Sequence, residues 1–345
     1  MIDLRSDTAT RPTTEMLEAM TTAELGDEQL REDPTVNELQ RRAAQLLGQE
    51  AALFLPTATM ANQIALKIHT RPGCLLIAQE RTHIMVFEAG GPAVHSGLVM
   101  VGLPGANGRI TGEQIHEVVS RSEDVEPASI VVLEQTHRSA GGRVWPFDEL
   151  AASAEAARDL GLAVHLDGAR IMNAAVASGV PSAEIGRRFD TVTLCLSKGL
   201  GCPLGALVAG SEELMAKGRR LKHLFGGAMR QAGIVAAAGV YALENNIERL
   251  VEDHARARRL AEGLDAAGVP LDLEQVETNF VQVDVGPLGL GPEEALERLA
   301  QQGVGLSMTV HPTLLRAVTH LGIDDDDIER AVELIPRALG ALAPA

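Results

Sequence analysis

The sequence predicts an α/β protein, with a large domain built on a mostly parallel sheet and a smaller α+β domain after it. Short apolar runs typical of buried strands recur between residues 51 and 209, mostly separated by helical patterns, and this alternation favours parallel strands joined by helices. From about Glu244 the pattern changes to long charged helices with few strand-like runs. The length of 345 residues agrees with this division, because single cores stop growing at about 250–300 residues.

Residues 1–30 are predicted to form a polar arm and a first helix at about 15–20. The predicted large domain, residues 31–245, begins with a helix at about 35–47 that Gly48 ends. A strand-like run then leads into a helix that starts within residues 56–62, and further helical patterns cover 111–121 and 147–160. The strand-like runs of this domain cover 51–55, 74–78, 98–103, 129–134, 162–167, 191–197 and 205–209.

The predicted small domain spans residues 246–345. Its sequence pattern predicts helices at 246–267, 293–302 and 326–342, and apolar runs predict strands at 280–285 and 304–308. The acidic run 324–327 resembles a metal-binding cluster, but it lies directly before a helix, where carboxylates cap the backbone and complement the helix dipole. We therefore predict no metal site.

The bulk composition excludes several classes of function. With 47 acidic and 30 basic residues the net charge is −17, which argues against an extended surface for nucleic acid or an anionic membrane. The longest run of apolar or small residues, 232–243, is shorter than a membrane span, and the first five residues lack the apolar core of a signal peptide. Three cysteines without paired spacing are typical of reduced thiols, so we expect a cytoplasmic protein.

The most informative residue is Lys198, which follows the apolar run 191–197. A charged amine is out of place at the end of a buried strand unless it does chemistry, although a surface lysine after a strand is the simple alternative. Asp167 ends the earlier strand-like run, and the interval between the two leaves room for one helical crossover. An amine that can form an imine and an acid that can pair with a pyridinium nitrogen together predict a pyridoxal 5′-phosphate (PLP) site.

Other residues supply what such a site requires. Thr57, Ala58 and Thr59 open a helix, where unpaired backbone N–H groups and the helix dipole bind phosphate, although hydroxyl residues also cap most helices. Arg170 is within one helical turn of Asp167 and could reach the ring hydroxyl or a substrate carboxylate. His83 and His137 lie in predicted strand-end loops, and either could take the proton of a substrate hydroxyl. His83 could also stack on the cofactor ring.

Several motifs, in order from the arm to the small domain, give the chain a family resemblance. They are Leu4-Arg5-Ser6-Asp7-Thr8, Phe87-Glu88-Ala89-Gly90-Gly91, His165-Leu166-Asp167-Gly168-Ala169-Arg170, Ser197-Lys198-Gly199-Leu200-Gly201, the stretch from Gly226 to Gly233, and Arg316-Ala317-Val318-Thr319-His320. In these motifs the chain resembles the low-specificity L-threonine aldolases, PLP-dependent enzymes of the aspartate aminotransferase-like fold that are close to the β-eliminating lyases. The resemblance covers almost the whole chain.

The resemblance implies PLP-dependent retro-aldol cleavage of L-threonine, L-allo-threonine and related β-hydroxy-α-amino acids to glycine and an aldehyde. It implies that Lys198 carries the PLP as an imine, that Ser6 and Arg316 hold the substrate carboxylate with help from Arg170, and that His83 stacks on the ring. It also implies a homotetramer with active sites at subunit interfaces, in which Arg230, with Lys222 as a further candidate, reaches a neighbour's cofactor phosphate. Many relatives have glycine where this chain has Ala58, which bears on how closely the backbone approaches the phosphate.

Two other readings of the same residues remain open. A PLP-dependent β-eliminating lyase or aminotransferase acting on a small amino acid would use the same lysine and aspartate. A PLP-binding protein without turnover is the more remote alternative. The products discriminate them, because glycine and acetaldehyde from L-threonine indicate the aldolase, whereas pyruvate, ammonia or pyridoxamine phosphate indicate the others.

Overall fold

The computed structural model describes residues 1–122 and 127–341. The strands are β1 Ile2–Asp3, β2 Ala51–Leu55, β3 Leu75–Gln79, β4 Val99–Leu103, β5 Ala128–Glu134, β6 Ala163–Asp167, β7 Thr191–Cys195, β8 Ala206–Gly210, β9 Phe280–Asp284, β10 Val304–Gly305, β11 Ser307–Met308 and β12 Leu314–Val318. The helices are α1 Thr14–Thr21, α2 Pro34–Leu46, α3 Ala58–His69, α4 His83–Val86, α5 Gly91–Ser96, α6 Gly112–Ser122, α7 Phe147–Asp159, α8 Ile171–Ser178, α9 Ser182–Gly186, α10 Glu212–Leu224, α11 Gly233–Asn245, α12 Leu250–Ala266, α13 Pro292–Gln301 and α14 Asp325–Leu339.

A seven-stranded sheet of order β2-β8-β7-β6-β5-β3-β4 organises the large domain. The strands from β7 to β4 run parallel, and β8 and β2 continue the sheet in antiparallel pairs. Strands β3, β7 and β8 are buried along their whole length, as expected for a sheet that helices cover on both faces. This arrangement confirms the predicted α/β fold with a mostly parallel sheet.

The two faces of the sheet can be followed in β2, where successive side chains point to opposite sides. Phe54 joins the apolar cluster formed with α2, α7, α8 and α11, whereas Leu53 and Leu55 join the cluster formed with α3 and α10. The register aligns Glu134 of β5 with Asp167 of β6, and Asp167 pairs with Thr193 of β7. The carboxyl ends of these strands therefore lie at one edge of the sheet, with Lys198 three residues beyond the end of β7.

A separate apolar cluster holds α12, α13, α14 and the antiparallel sheet β11-β12-β9 together. The beginning of the arm belongs to this cluster, because β1 pairs with β10 and the side chains of Ile2 and Leu4 are buried in it. Further along, Met16 of α1 is buried in the main cluster of the large domain. The arm thus runs from the small domain to the large one and passes the strand edge that carries the candidate site.

Several element boundaries differ from the prediction. The predicted strand 191–197 ends at Cys195, because Leu196 and Cys202 close a turn through a backbone hydrogen bond of 3.1 Å. The predicted run 304–308 is divided into β10 and β11, which pair with different strands. The predicted helix 326–342 runs from Asp325 to Leu339, and residues 342–345 at the predicted end of the small domain lie outside the described residues.

The acidic run before α14 caps this helix, as predicted. The Asp324 side chain accepts a hydrogen bond of 2.8 Å from the backbone N–H of Asp327, and the next three aspartates occupy the first turn. Among the helices that the structure describes, none combines the length and apolar character that crossing a membrane requires.

Candidate active site

The loop after β7 holds Lys198 at the strand edge by its backbone. The Lys198 carbonyl accepts hydrogen bonds from the Thr10 hydroxyl at 3.0 Å and from the Gly201 N–H at 2.9 Å. Gly201 has a φ of +80°, which glycine adopts without steric cost. The half-buried Lys198 side chain carries no salt bridge to any carboxylate within the described residues. The loop and the arm therefore hold the backbone of Lys198 in place, while its side-chain amine has no salt bridge within the described residues.

Asp167 is a buried carboxylate at the end of β6, and hydrogen bonds hold it in place. Its Oδ2 accepts a hydrogen bond of 2.9 Å from Asn62, and its Oδ1 accepts one of 3.1 Å from the Ala169 N–H. Burial by itself raises the pKa of Asp167, but the charges of His83 and Lys198 outweigh it and lower the pKa below its ordinary value. Asp167 is thus an ionised group without a direct salt bridge in the described chain, which suits it to a protonated ring nitrogen.

His83 begins α4 beside this carboxylate. Its Nδ1 lies 3.0 Å from Oε1 of Glu88, and its backbone N–H donates a 2.5 Å hydrogen bond to Glu134. The His83 side chain retains 27% of its exposure, so its ring is open on one side. Sequence reasoning placed His83 near Asp167, and the structure brings the two together.

Asn62, which the sequence analysis did not single out, links the acids of the site. Its side-chain N–H groups donate to Glu88 at 2.8 Å and to Asp167 at 2.9 Å, and its oxygen lies 3.2 Å from Nε2 of His165. The ligand atoms of His83, Glu88 and Asp167 lie within 4.8 Å of one another, a spacing that a metal ion could use. Hydrogen bonds from side-chain amides already reach both Glu88 oxygens and one Asp167 oxygen, so we assign the cluster an orienting role.

Arg170 lies at the start of α8, and its guanidinium is bound by a carboxylate of the arm. Its Nε and Nη2 donate to the two oxygens of Asp7 at 2.6 and 2.7 Å, and both side chains are buried. Burial raises the pKa of Asp7, but the charge and hydrogen bonds of Arg170 hold it well below its usual range. Asp7 therefore fixes the orientation of Arg170. One signal for this pairing was available in the sequence, since Asp7 lies in the same motif as Ser6.

Arg316 approaches the same region from β12 of the small domain. Only 6% of the residue is exposed, its Nη2 donates a 3.1 Å hydrogen bond to the Arg5 carbonyl, and its Nε is buried without a partner in the described chain. Burial, with the charges of Arg138 and Arg170, lowers the pKa of Arg316 to about 9. A carboxylate bound here would satisfy the unpaired N–H and relieve this repulsion. Ser6, the next residue of the arm after Arg5, is half-buried and caps a short turn at residues 7–9.

The proposed phosphate cradle is the start of α3. The Thr57 hydroxyl accepts a hydrogen bond of 3.1 Å from the Met60 N–H, and Ala58 is the first residue of the helix. Thr57 and Thr59 are exposed and line a cavity of about 620 Å³ that Lys67 and Phe225 also line. The first backbone N–H groups of a helix lack internal acceptors, so this end of α3 can receive an anion with alanine at position 58.

Two basic residues expected to reach a neighbouring subunit lie in different environments. Arg230 is on the surface, with 63% of its side chain exposed and a 3.0 Å salt bridge to Asp27. Lys222 is 1% exposed, and its ammonium is bound by Glu28 at 2.7 Å. Within its own chain Lys222 is thus buried and paired, so of the two residues Arg230 is the one exposed to a neighbouring subunit.

His137 is buried, and its ring contacts different residues from those that the His83 ring contacts. Its Nδ1 accepts a hydrogen bond of 3.2 Å from the Ala140 N–H, and its Nε2 has no partner among the described residues. Its ring packs on Gly108, where a Cβ would lie 2.2 Å from the ring. Burial lowers the pKa of His137, which keeps it neutral. The hydrogen bonds and ring packing of His137 thus engage other loops than those of Lys198 and His83.

Glu134 at the end of β5 is a further residue that sequence reasoning missed. Its carboxylate accepts the backbone N–H groups of His83 at 2.5 Å and of Arg138 at 2.7 Å. It therefore joins the two loops that carry the candidate histidines. Its position at the end of a strand, next to the Asp167 strand, was the available signal.

The chain is similar to known proteins in both sequence and fold. The sequence model of the β-eliminating lyase family matches residues 3–286. The low specificity L-threonine aldolase of Escherichia coli strain K12 is 41% identical over 332 residues, covering 95% of this chain and 96% of the relative. The low-specificity L-threonine aldolase 1 of Arabidopsis thaliana is 35% identical over 345 residues, covering 98% and 96%. In fold, a threonine aldolase structure from Leishmania major has a TM-score of 0.84 over 98% of this chain and 99% of that one, at 20% identity.

Proposed function

This chain belongs to the β-eliminating lyase family, and from its relatives and its site we propose that it is a low-specificity L-threonine aldolase. It cleaves L-threonine, L-allo-threonine and related β-hydroxy-α-amino acids to glycine and an aldehyde. One observation carries the proposal. The amine of Lys198 and the buried carboxylate of Asp167 lie at the same edge of the sheet, and neither forms a salt bridge within the described residues.

The residues at this edge fit PLP as the cofactor. Lys198 would hold its aldehyde, Asp167 would face the ring nitrogen, and the N–H groups of residues 57–59 would receive the phosphate, with Arg230 offered to a neighbouring subunit. The buried, ionised Asp167 supports the fit, because no cation of the described residues forms a direct salt bridge with it and a protonated ring nitrogen would. Bound PLP supplies the electron sink that allows the Cα–Cβ bond of the amino acid to break.

The substrate carboxylate binds to Arg316. Its buried, unpartnered Nε and its repulsion from two neighbouring guanidiniums support this assignment. Arg170 contributes its charge while Asp7 holds its Nε and Nη2, so we propose that it assists through the remaining edge of its guanidinium. Ser6, on the arm beside the carbonyl that binds Arg316, completes the carboxylate site.

His83 is the residue best placed to take the proton of the β-hydroxyl. Its Nδ1 faces the Glu88 carboxylate and part of the ring is exposed, so the neutral form of the ring would present Nε2 as the atom that accepts a proton. His137 is the second candidate, but its burial and its contacts with other loops favour His83. The Lys198 amine, which forms no salt bridge within the described residues, is the candidate that would return a proton to Cα.

We propose a homotetramer with active sites at subunit interfaces. Large apolar side chains are exposed around the start of α3, including Val94 at 77% and Leu224 at 67%, and burial of such side chains favours association. The surface position of Arg230 suits a contact with a neighbouring subunit. We keep the cytoplasm as the proposed location, on the cysteine content alone.

Product analysis tests the proposal. The purified protein with PLP is given L-threonine, L-allo-threonine and a β-aryl serine, and the products are scored for glycine and aldehyde. Equal amounts of glycine and acetaldehyde from L-threonine support the aldolase. Pyruvate and ammonia, or pyridoxamine phosphate, would identify the β-eliminating lyase or the aminotransferase instead, and binding of PLP without turnover would leave only a cofactor-binding protein.

A further inference from the structure

We infer that Arg138 binds an anionic group on the β-substituent, so that the site takes β-hydroxy-α-amino dicarboxylates, such as 3-hydroxyaspartate, in preference to L-threonine. The inference rests on the proposed function and deepens it, because it names the substrate class and the residue that selects it. It starts from a guanidinium that has no ionic partner and lies beside the histidine assigned to the β-hydroxyl.

The position of Arg138 is fixed by its backbone and by an aromatic ring. Its N–H donates a 2.7 Å hydrogen bond to Glu134, the carboxylate that also binds the backbone of His83. Its guanidinium carbon lies 3.9 Å from the centre of the Phe87 ring, and the same ring lies 5.6 Å from the His83 ring. Phe87 therefore contacts both the arginine and the histidine, and the group on Cβ of a substrate bound at His83 would lie near Arg138.

The charges around the site leave Arg138 without a partner. Asp7 and Glu134 are the carboxylates whose charges oppose that of Arg138, but Asp7 is bound by Arg170 and both Glu134 oxygens accept backbone N–H groups. In residues 1–122 and 127–341, neither Arg138 nor Arg316 forms a salt bridge to a carboxylate. Arg316 is assigned to the α-carboxylate and Arg170 is matched by Asp7, so a second anion on the substrate would match Arg138.

The electrostatics agree with this geometry. Burial, followed by the charge of Arg170, lowers the pKa of Arg138, and the charge of Arg138 in turn lowers the pKa of Arg316. A substrate with two carboxylates would place an anion beside each of these guanidiniums. Threonine, with a neutral methyl group on Cβ, would place one beside Arg316 alone. Arg138 and Phe87 are partly exposed, so a substrate can reach them from solvent.

The reaction of such a substrate follows the proposed retro-aldol chemistry without any co-reactant. The Cα–Cβ bond breaks, the β-hydroxyl loses its proton as its carbon becomes a carbonyl, and Cα gains a proton. From 3-hydroxyaspartate the products are glycine and glyoxylate. In this account Arg138 is a specificity-determining residue that touches the part of the substrate that leaves.

The test compares kcat/KM for L-threonine and for L-threo-3-hydroxyaspartate in the PLP-loaded enzyme. We expect the wild type to prefer the dicarboxylate and Arg138→Gln to lower the ratio of the two kcat/KM values by roughly tenfold or more, because a charge-assisted pair is lost. Arg138→Lys keeps the charge and should retain part of the preference. Arg81→Gln is the matched control, since Arg81 is an exposed arginine whose carbonyl accepts a hydrogen bond from the neighbouring Ser139.

Other outcomes are decisive as well. Equal losses for both substrates in Arg138→Gln would overturn the inference and leave a structural role in holding Phe87. An equal change of the ratio in Arg81→Gln would overturn it by showing a general surface-charge effect. A wild type that cleaves L-threonine but prefers it to the dicarboxylate would overturn the inference while the proposed function stands, whereas cleavage of neither substrate would mark failure of the proposed function itself.

Discussion

Asp7 binds both the Nε and the Nη2 of Arg170, at 2.6 and 2.7 Å, in a salt bridge that is almost completely buried. The two residues are 163 positions apart in the chain, so the pair ties the N-terminal arm to the loop after β6. Because Asp167 ends β6 directly before this loop, the arm helps to hold the cofactor end of the site as well as the carboxylate end.

Removing the carboxylate of this pair should destabilise the protein and disorder the site. We expect Asp7→Ala to lower the free energy of unfolding by about 3–5 kcal/mol, because it leaves a buried guanidinium unpaired. Asp7→Asn keeps the shape and one acceptor, and it should lower kcat/KM by roughly 10- to 100-fold through misplacement of Arg170. Urea unfolding and steady-state kinetics measure the two effects. Wild-type stability in Asp7→Ala would show that the pair is not needed to hold the arm.

Arg316→Ala separates substrate capture from cofactor binding. The variant loses the guanidinium assigned to the substrate carboxylate, so kcat/KM for L-threonine should fall by on the order of 100-fold, mainly through KM. The visible absorbance of bound PLP should persist, because Arg316 comes from the small domain and the residues assigned to PLP belong to the large one. Loss of the cofactor in this variant would contradict the assignment of Arg316 to substrate.

Glu134→Gln tests whether this carboxylate positions His83. The amide keeps one acceptor oxygen and turns an N–H group towards the second backbone N–H, which costs about 1–3 kcal/mol for an unsatisfied donor. We expect kcat to fall by roughly tenfold, with little change in KM, because the His83 ring is retained but is positioned less accurately. Glu80→Gln, at a half-exposed carboxylate nearby, is the control. Equal kinetics in both variants would remove Glu134 from the positioning of His83.

His165 should make stability depend on pH. Burial lowers the pKa of His165 to about 4, from an ordinary value of 6.5. Between these two values the unfolded chain carries a proton that the folded chain does not, so the free energy of unfolding falls as the pH falls, by up to about 1.4 kcal/mol per pH unit. His165→Asn should reduce this slope, whereas His116→Asn, at an exposed histidine, should not. Unfolding curves measured at pH 4 to 7 test this prediction. An identical dependence of the free energy of unfolding on pH in the wild type and in His165→Asn would refute it.

The sequence alone was sufficient to predict the site residues that lie at the ends of parallel strands. Lys198 and Asp167 could be predicted because each follows an apolar run, and parallel strands bring their carboxyl ends to one edge. The partners of Arg170 and Lys222 could not be predicted in this way, since Asp7 and Glu28 are 163 and 194 positions away and only the folded chain brings them close. The difference between His83 and His137 also required the structure, because both follow strands and only packing distinguishes an open ring from a buried one.

Replacement of Lys198 tests the central claim most directly. Lys198→Ala is compared with the wild type and with Lys217→Ala, which removes an exposed lysine paired with Glu213. Each protein is loaded with PLP and freed of unbound cofactor, its visible absorbance is recorded, and the release of glycine is measured after L-threonine is added. We predict that Lys198→Ala loses both signals while Lys217→Ala keeps both. A Lys198→Ala protein that is yellow and releases glycine would contradict the assignment of the site.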